Sequence, residues 1–109
     1  MRNTGFTVDR TSAFEYDVDE AICYLVNEVG SPRAANLLLD EIERTIGILE
    51  EAPYINGLSL RYGLGEAGMR EHLVRNYSIV YRVDGARVVL LRLLHQSQLA
   101  DRLVIDWEN

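Results

Sequence analysis

Apolar residues in the first half of the chain recur at helical spacing, and beyond Gly68 the period changes to two. Phe6 and Val8 alternate with Thr7 and Asp9, which predicts a short strand with one apolar face. Ser12 followed by Glu15 has the spacing of a capping box, and Phe14, Val18, Ile22, Leu25, Val26 and Val29 then share one face of a first helix. Gly30 can end that helix. Ser31 can cap a second, with Pro32 in its first turn and a stripe of Ala35, Leu38, Leu39, Ile42, Ile46 and Leu49 that stops at Pro53. Only Gly30 and Ser31 separate the helices, so an antiparallel hairpin is expected, both stripes facing the same layer.

Residues 54–67 contain Gly57, Gly63 and Gly65 and few periodic apolar positions, the pattern of a loop. Gly63-Leu64-Gly65 is too short for a phosphate cradle and has no helix after it. Three strands come next. Met69 to Val74 and Tyr77 to Val83 are joined by Arg75 and Asn76, and Asp84-Gly85 signals a type I′ hairpin into a strand over Arg87 to His95. That last strand is apolar almost throughout, so it should lie centrally, covered on both faces, between the strand before it and the first strand of the chain. The expected fold is α+β in two layers: an N-terminal strand, an antiparallel helix hairpin, then a three-stranded antiparallel meander, with the helices on one face of the sheet.

The 109 residues make a single domain over 1–109 whose 48% hydrophobic content can fill a core. One cysteine, Cys23, leaves no intrachain disulfide and no zinc set, which fits the cytoplasm. No apolar run is long enough to span a membrane, and Met1 to Gly5 lack the features of a signal peptide. No cofactor or metal is expected. Eleven basic against 17 acidic residues give a net charge of −6, which argues against direct nucleic-acid binding. The acid lies in the first part: residues 1–67 carry 5 basic and 12 acidic groups, residues 68–109 carry 6 and 5. Asp17, Asp19, Glu20, Glu28 and the acids of the second helix mostly fall off the apolar stripes and read as solvated faces. Every basic residue is arginine, whose planar fork suits carboxylate or phosphate.

Three stretches carry a resemblance: Gly30-Ser31-Pro32-Arg33-Ala34-Ala35, Tyr77-Ser78-Ile79-Val80-Tyr81-Arg82-Val83-Asp84-Gly85, and Val88-Val89-Leu90-Leu91-Arg92-Leu93-Leu94-His95-Gln96-Ser97. The chain resembles the RelE/ParE superfamily of type II toxin–antitoxin toxins over nearly its whole length, and the third stretch is similar to the ParE branch. The resemblance implies a small plasmid-stabilisation type toxin neutralised by a cognate ParD-like antitoxin. ParE-like relatives are associated with poisoning of DNA gyrase and RelE-like ones with cutting messenger RNA on the ribosome. A decayed toxin that keeps only antitoxin binding is a third alternative.

Ribonuclease chemistry of the RelE type needs proton carriers and cations around the phosphate. Those relatives supply them in part from the segment after the last strand, which here is Gln96-Ser97-Gln98-Leu99-Ala100-Asp101, with no base, cation or tyrosine. Without lysine, the fallback catalytic set is His95, Arg92 and Arg70, and an interaction toxin is favoured over an enzyme. Strand alternation places Tyr77, Ile79, Tyr81 and Val83 under the helices. If Arg70, Val88, Leu90, Arg92 and Leu94 align with Arg82, the helix-free face becomes an arginine-studded apolar groove. Arg70, Arg82, Val88, Leu90, Arg92, Leu94 and His95 are the candidate partner-binding residues.

Overall fold

A computed structural model of the chain describes residues 5–61 and 63–96. The chain runs β1 (Thr7–Arg10), α1 (Ser12–Cys23), a π-helical turn (Tyr24–Glu28), α2 (Pro32–Glu51), β2 (Arg70–Val74), β3 (Tyr77–Asp84) and β4 (Arg87–His95). The sheet order is β1-β4-β3-β2, with β1 parallel to β4 and the other pairs antiparallel. Both helices lie on one face of this sheet, as the apolar patterning requires.

The cap of α1 is Thr11 rather than Ser12: its hydroxyl accepts from the Phe14 N–H at 3.0 Å and lies 3.0 and 3.1 Å from the Leu90 and Leu91 carbonyls. One residue therefore starts the helix and ties it to β4. At the far end of α1 the backbone loosens by one residue per turn, and Val29 N–H bonds back to the Tyr24 carbonyl at 3.0 Å. The extra residue rotates the rest of this helical segment out of phase with the stripe. Val26 and Val29 consequently face outward, 38% and 52% exposed, where a regular helix would bury them. Ser31 does cap α2, accepting from Ala34 N–H at 3.1 Å, and Pro32 occupies the first turn, where its missing N–H costs nothing. Of the expected α2 stripe Leu39 lies outside the core, and Thr45, which the stripe does not include, lies inside it, its hydroxyl donating to the Glu41 carbonyl at 2.9 Å.

The principal core joins Phe14, Ala21, Leu38, Ile42 and Leu49 of the helices to Val74, Tyr77, Ile79, Tyr81, Val88, Leu90 and Leu93 of the sheet. A second cluster of Leu64, Met69, Val80, Val89, Leu91 and Leu94 lies on the other face, beneath the loop that leads into β2. The central strand is thus buried on both sides. The β3–β4 hairpin turns on Gly85 and Ala86 between the paired Asp84 and Arg87. Only Gly85 there has positive φ, 59°, so the turn takes the glycine-first II′ arrangement in place of the expected Asp-Gly type I′.

Candidate functional site

Beyond Leu90, β4 outruns its parallel partner β1, and α1 takes the place beside its open edge. A cleft of about 500 Å³ opens there, lined by Tyr16, Asp17, Glu20, Ala21 and Tyr24 of the first helical segment, Tyr77 of β3, and Arg92, Leu93 and His95 of β4. At its floor Asp17 receives a bidentate contact from Arg92, Nε to Oδ2 at 2.7 Å and Nη2 to Oδ1 at 3.0 Å. The same Oδ2 accepts the Leu93 N–H at 3.0 Å, so one carboxylate satisfies the edge of the sheet and the arginine inside it. Hydrogen bonding to Asp17 raises the Arg92 pKa further, against a smaller opposing effect of burial.

The walls are phenolic. Tyr77 stands edge-on to the His95 ring, centroids 5.0 Å apart, and its pKa is raised by burial and by the neighbouring Tyr24. Tyr16 is exposed, and its hydrogen bond to Glu20 is the main cause of its raised pKa. Both phenols therefore stay protonated at neutral pH and can donate, not abstract, a proton.

The open arginine groove expected on the helix-free face does not form. A bulge in β4 sets Val80 opposite Arg92 and Tyr81 opposite Leu90, leaving Leu91 as the extra residue. Val88 and Leu90 accordingly join the helix-side core and Leu94 the second cluster, each at most 1% exposed. Arg92 turns to α1. Arg70 pairs with Tyr81 across β2–β3, which puts it on the helix side too, 4.9 Å over the Tyr54 ring and donating to the Asn56 carbonyl at 2.5 Å. Arg82 keeps to the helix-free face, 3.2 Å from Asp84. Of the expected residues the cleft gathers Arg92 and His95; residues 97–101 of the segment after β4 lie outside the described residues.

A family model for the ParE toxin of type II toxin–antitoxin systems matches residues 8–100. The chain belongs to the ParE toxin family. In fold the toxin is similar to the chromosomal ParDE system of P. aeruginosa, with a TM-score of 0.68 at 20% identity over 84% of this chain and 97% of the other. It is similar also to the RelBE2 toxin–antitoxin complex of Mycobacterium tuberculosis, with a TM-score of 0.59 at 27% identity over 84% and 98%. A copper-bound mutant toxin of Helicobacter pylori gives a TM-score of 0.54 at 21% identity over 87% and 99%. No curated protein sequence matches the chain.

Sequence reasoning missed Asp17, which it placed on a solvated face and which is 10% exposed at its side chain. The signal was present: an arginine inside an apolar strand needs a carboxylate nearby. Tyr16, Glu20 and Tyr24 were also missed, although four-residue steps along one helix face bring them into line.

At the other end of the toxin's sheet a polar network holds the loop after α2. Asn56 Nδ2 lies 2.9 Å from His72 Nδ1 and donates to the Tyr81 hydroxyl at 3.1 Å, which in turn donates to the Pro53 carbonyl at 2.8 Å. With Nδ1 accepting, His72 must be neutral at that nitrogen, and burial pushes its pKa below 6.5. The folded state therefore binds the proton less readily than the unfolded chain. This contribution to stability is complete above pH about 6.5 and is lost as the pH falls from there toward the lowered folded value. Melting curves at successive pH values should show an acid-side loss of Tm that shrinks in His72→Gln. Equal losses in the parent and His72→Gln would remove the network as its cause.

Proposed function

We propose that this ParE-family toxin acts by binding a protein target, DNA gyrase being the first candidate, and that a ParD-like antitoxin neutralises it. The observation that carries this reading is the occupancy of Arg92. Its guanidinium is already engaged by both oxygens of Asp17, and Glu20 adds a second carboxylate to the same cleft. A phosphodiester entering there meets the uncompensated carboxylate of Glu20 and no unpaired arginine among the described lining residues. The protonated phenols of Tyr16 and Tyr77 offer no base. The systems to which the fold is similar contain an antitoxin, which supports such a partner here.

Expression of the toxin should induce the DNA-damage response, and the purified protein should promote gyrase-dependent cleavage of supercoiled DNA. Primer extension on messenger RNA after induction should show no codon-linked cuts. Cuts that disappear in His95→Ala would replace this reading with a ribosome-dependent endoribonuclease. Inactivity in both assays would leave antitoxin binding as the retained function.

A further inference from the structure

We propose that the cleft between α1 and the end of β4 receives an arginine side chain of the antitoxin, an occupant that rests on the toxin reading above. Three features fit a guanidinium. Asp17 and Arg92 neutralise one another, so the uncompensated charge among the acidic and arginine lining residues is the carboxylate of Glu20. Glu20 is exposed and lines the cleft, so its carboxylate can be reached by an incoming cation. Tyr16 and Tyr24, 62% and 53% exposed, flank Glu20 one helical turn on either side and leave ring surface open to the cleft.

A planar cation that pairs with a carboxylate and lies against aromatic faces matches this arrangement better than an aliphatic side chain or an anion does. The charge of the whole molecule points the same way: residues 1–67, which supply this wall, carry the acidic excess of the chain. The π-helical turn begins only where the cleft wall ends. Tyr24 is the last residue still in α-helical register, its N–H bonding to the Glu20 carbonyl, so it stays in line with Glu20 at the cleft while Val26 and Val29 beyond it swing away from the core.

The test uses the full-length toxin, isotopically labelled, titrated with Nα-acetyl-arginine methylamide and with the uncharged citrulline analogue. The arginine compound should produce saturable shifts at Glu20, Tyr24, Leu93 and His95, and the citrulline compound should not. Glu20→Gln and Tyr24→Leu, both changes at exposed positions, should each weaken binding by about fivefold or more while the melting temperature holds. Adding the cognate antitoxin should abolish the shifts by filling the cleft. Equal response to citrulline, preference for inorganic phosphate, or unchanged binding in Glu20→Gln would overturn the cation site. Arginine binding that persists in the antitoxin complex would overturn the assignment of its occupant. Neither result bears on the gyrase and messenger-RNA assays, so failure of this inference and failure of the toxin reading are separable.

Discussion

Asp17→Ala should lower the melting temperature of this toxin by roughly 12–20 °C, the shift expected for a loss of about 3 kcal/mol in a domain of this size. The carboxylate makes three contacts at once, two with the Arg92 guanidinium and one with the Leu93 N–H. Removing it strands a guanidinium whose side chain is only 26% exposed and leaves an edge N–H of the central strand without its acceptor. Partial exposure of Arg92 keeps the cost at the lower end of the range for breaking a buried pair. Adding Arg92→Leu to Asp17→Ala should recover part of the loss, because the stranded charge is gone and an aliphatic side chain suits the adjoining core. It should not recover all of it, since the Leu93 N–H stays unsatisfied. Thermal melts of the two single variants and the double variant measure the coupling. An Asp17→Ala protein melting within a few degrees of the parent would show that the pair contributes nothing and that β4 is held by packing alone.

The pair also shows where sequence patterning stops. The second helix is legible because Ser31, Pro32 and the recurrence of Leu38, Ile42 and Leu49 agree on its start and its buried face. The meander is legible from the change of period and from the glycine at 85. In β4 the pattern has no phase to read. Val88 to Leu94 is apolar except for Arg92, so nothing in the composition marks Leu91 as the residue that the bulge sets out of register. A strict alternation groups Val88, Leu90, Arg92 and Leu94, whereas the bulged strand sends Val88 and Leu90 to the helices and Leu94 to the opposite cluster. The face assigned to Arg70 failed for a related reason. Register between β2 and β3 is set by their two-residue turn, which pairs Val74 with Tyr77 and carries Arg70 to Tyr81, on the helix side. The cleft was legible only in pieces, Arg92 and His95, because its acidic wall comes from a helix face that in isolation looks solvated.

Gly65→Ala should destabilise the toxin by about 3 kcal/mol, a large value for one added methyl group, because the group has nowhere to go. A Cβ at residue 65 would lie 2.2 Å from the Ser59 carbonyl oxygen, and the obstacle is backbone rather than the end of a flexible side chain. Ser59 is held on several sides. Its N–H donates to the Met69 carbonyl at 2.8 Å, its hydroxyl donates to Glu71 at 2.6 Å, and that hydroxyl accepts the Arg61 N–H at 3.1 Å. Glu71 is itself in an ion contact with Arg61 Nε at 2.7 Å that lacks hydrogen-bond alignment. Relief of the clash therefore requires the loop to lift, and with it Leu64, whose carbonyl receives the Met69 N–H at 2.9 Å and whose side chain belongs to the second cluster. Val80, Leu91 and Leu94 would then lose part of their cover on the helix-free face. Gly57→Ala is the control, since a Cβ there meets nothing within 4 Å, and it should leave the melt unchanged. Hydrogen exchange gives the second readout: Gly65→Ala should accelerate exchange in residues 64–69 before it affects Leu38 or Ile42 of α2. A Gly65→Ala variant that melts with the parent and keeps its exchange pattern would mean that Ser59 yields freely and that the loop is not what closes this side of the sheet.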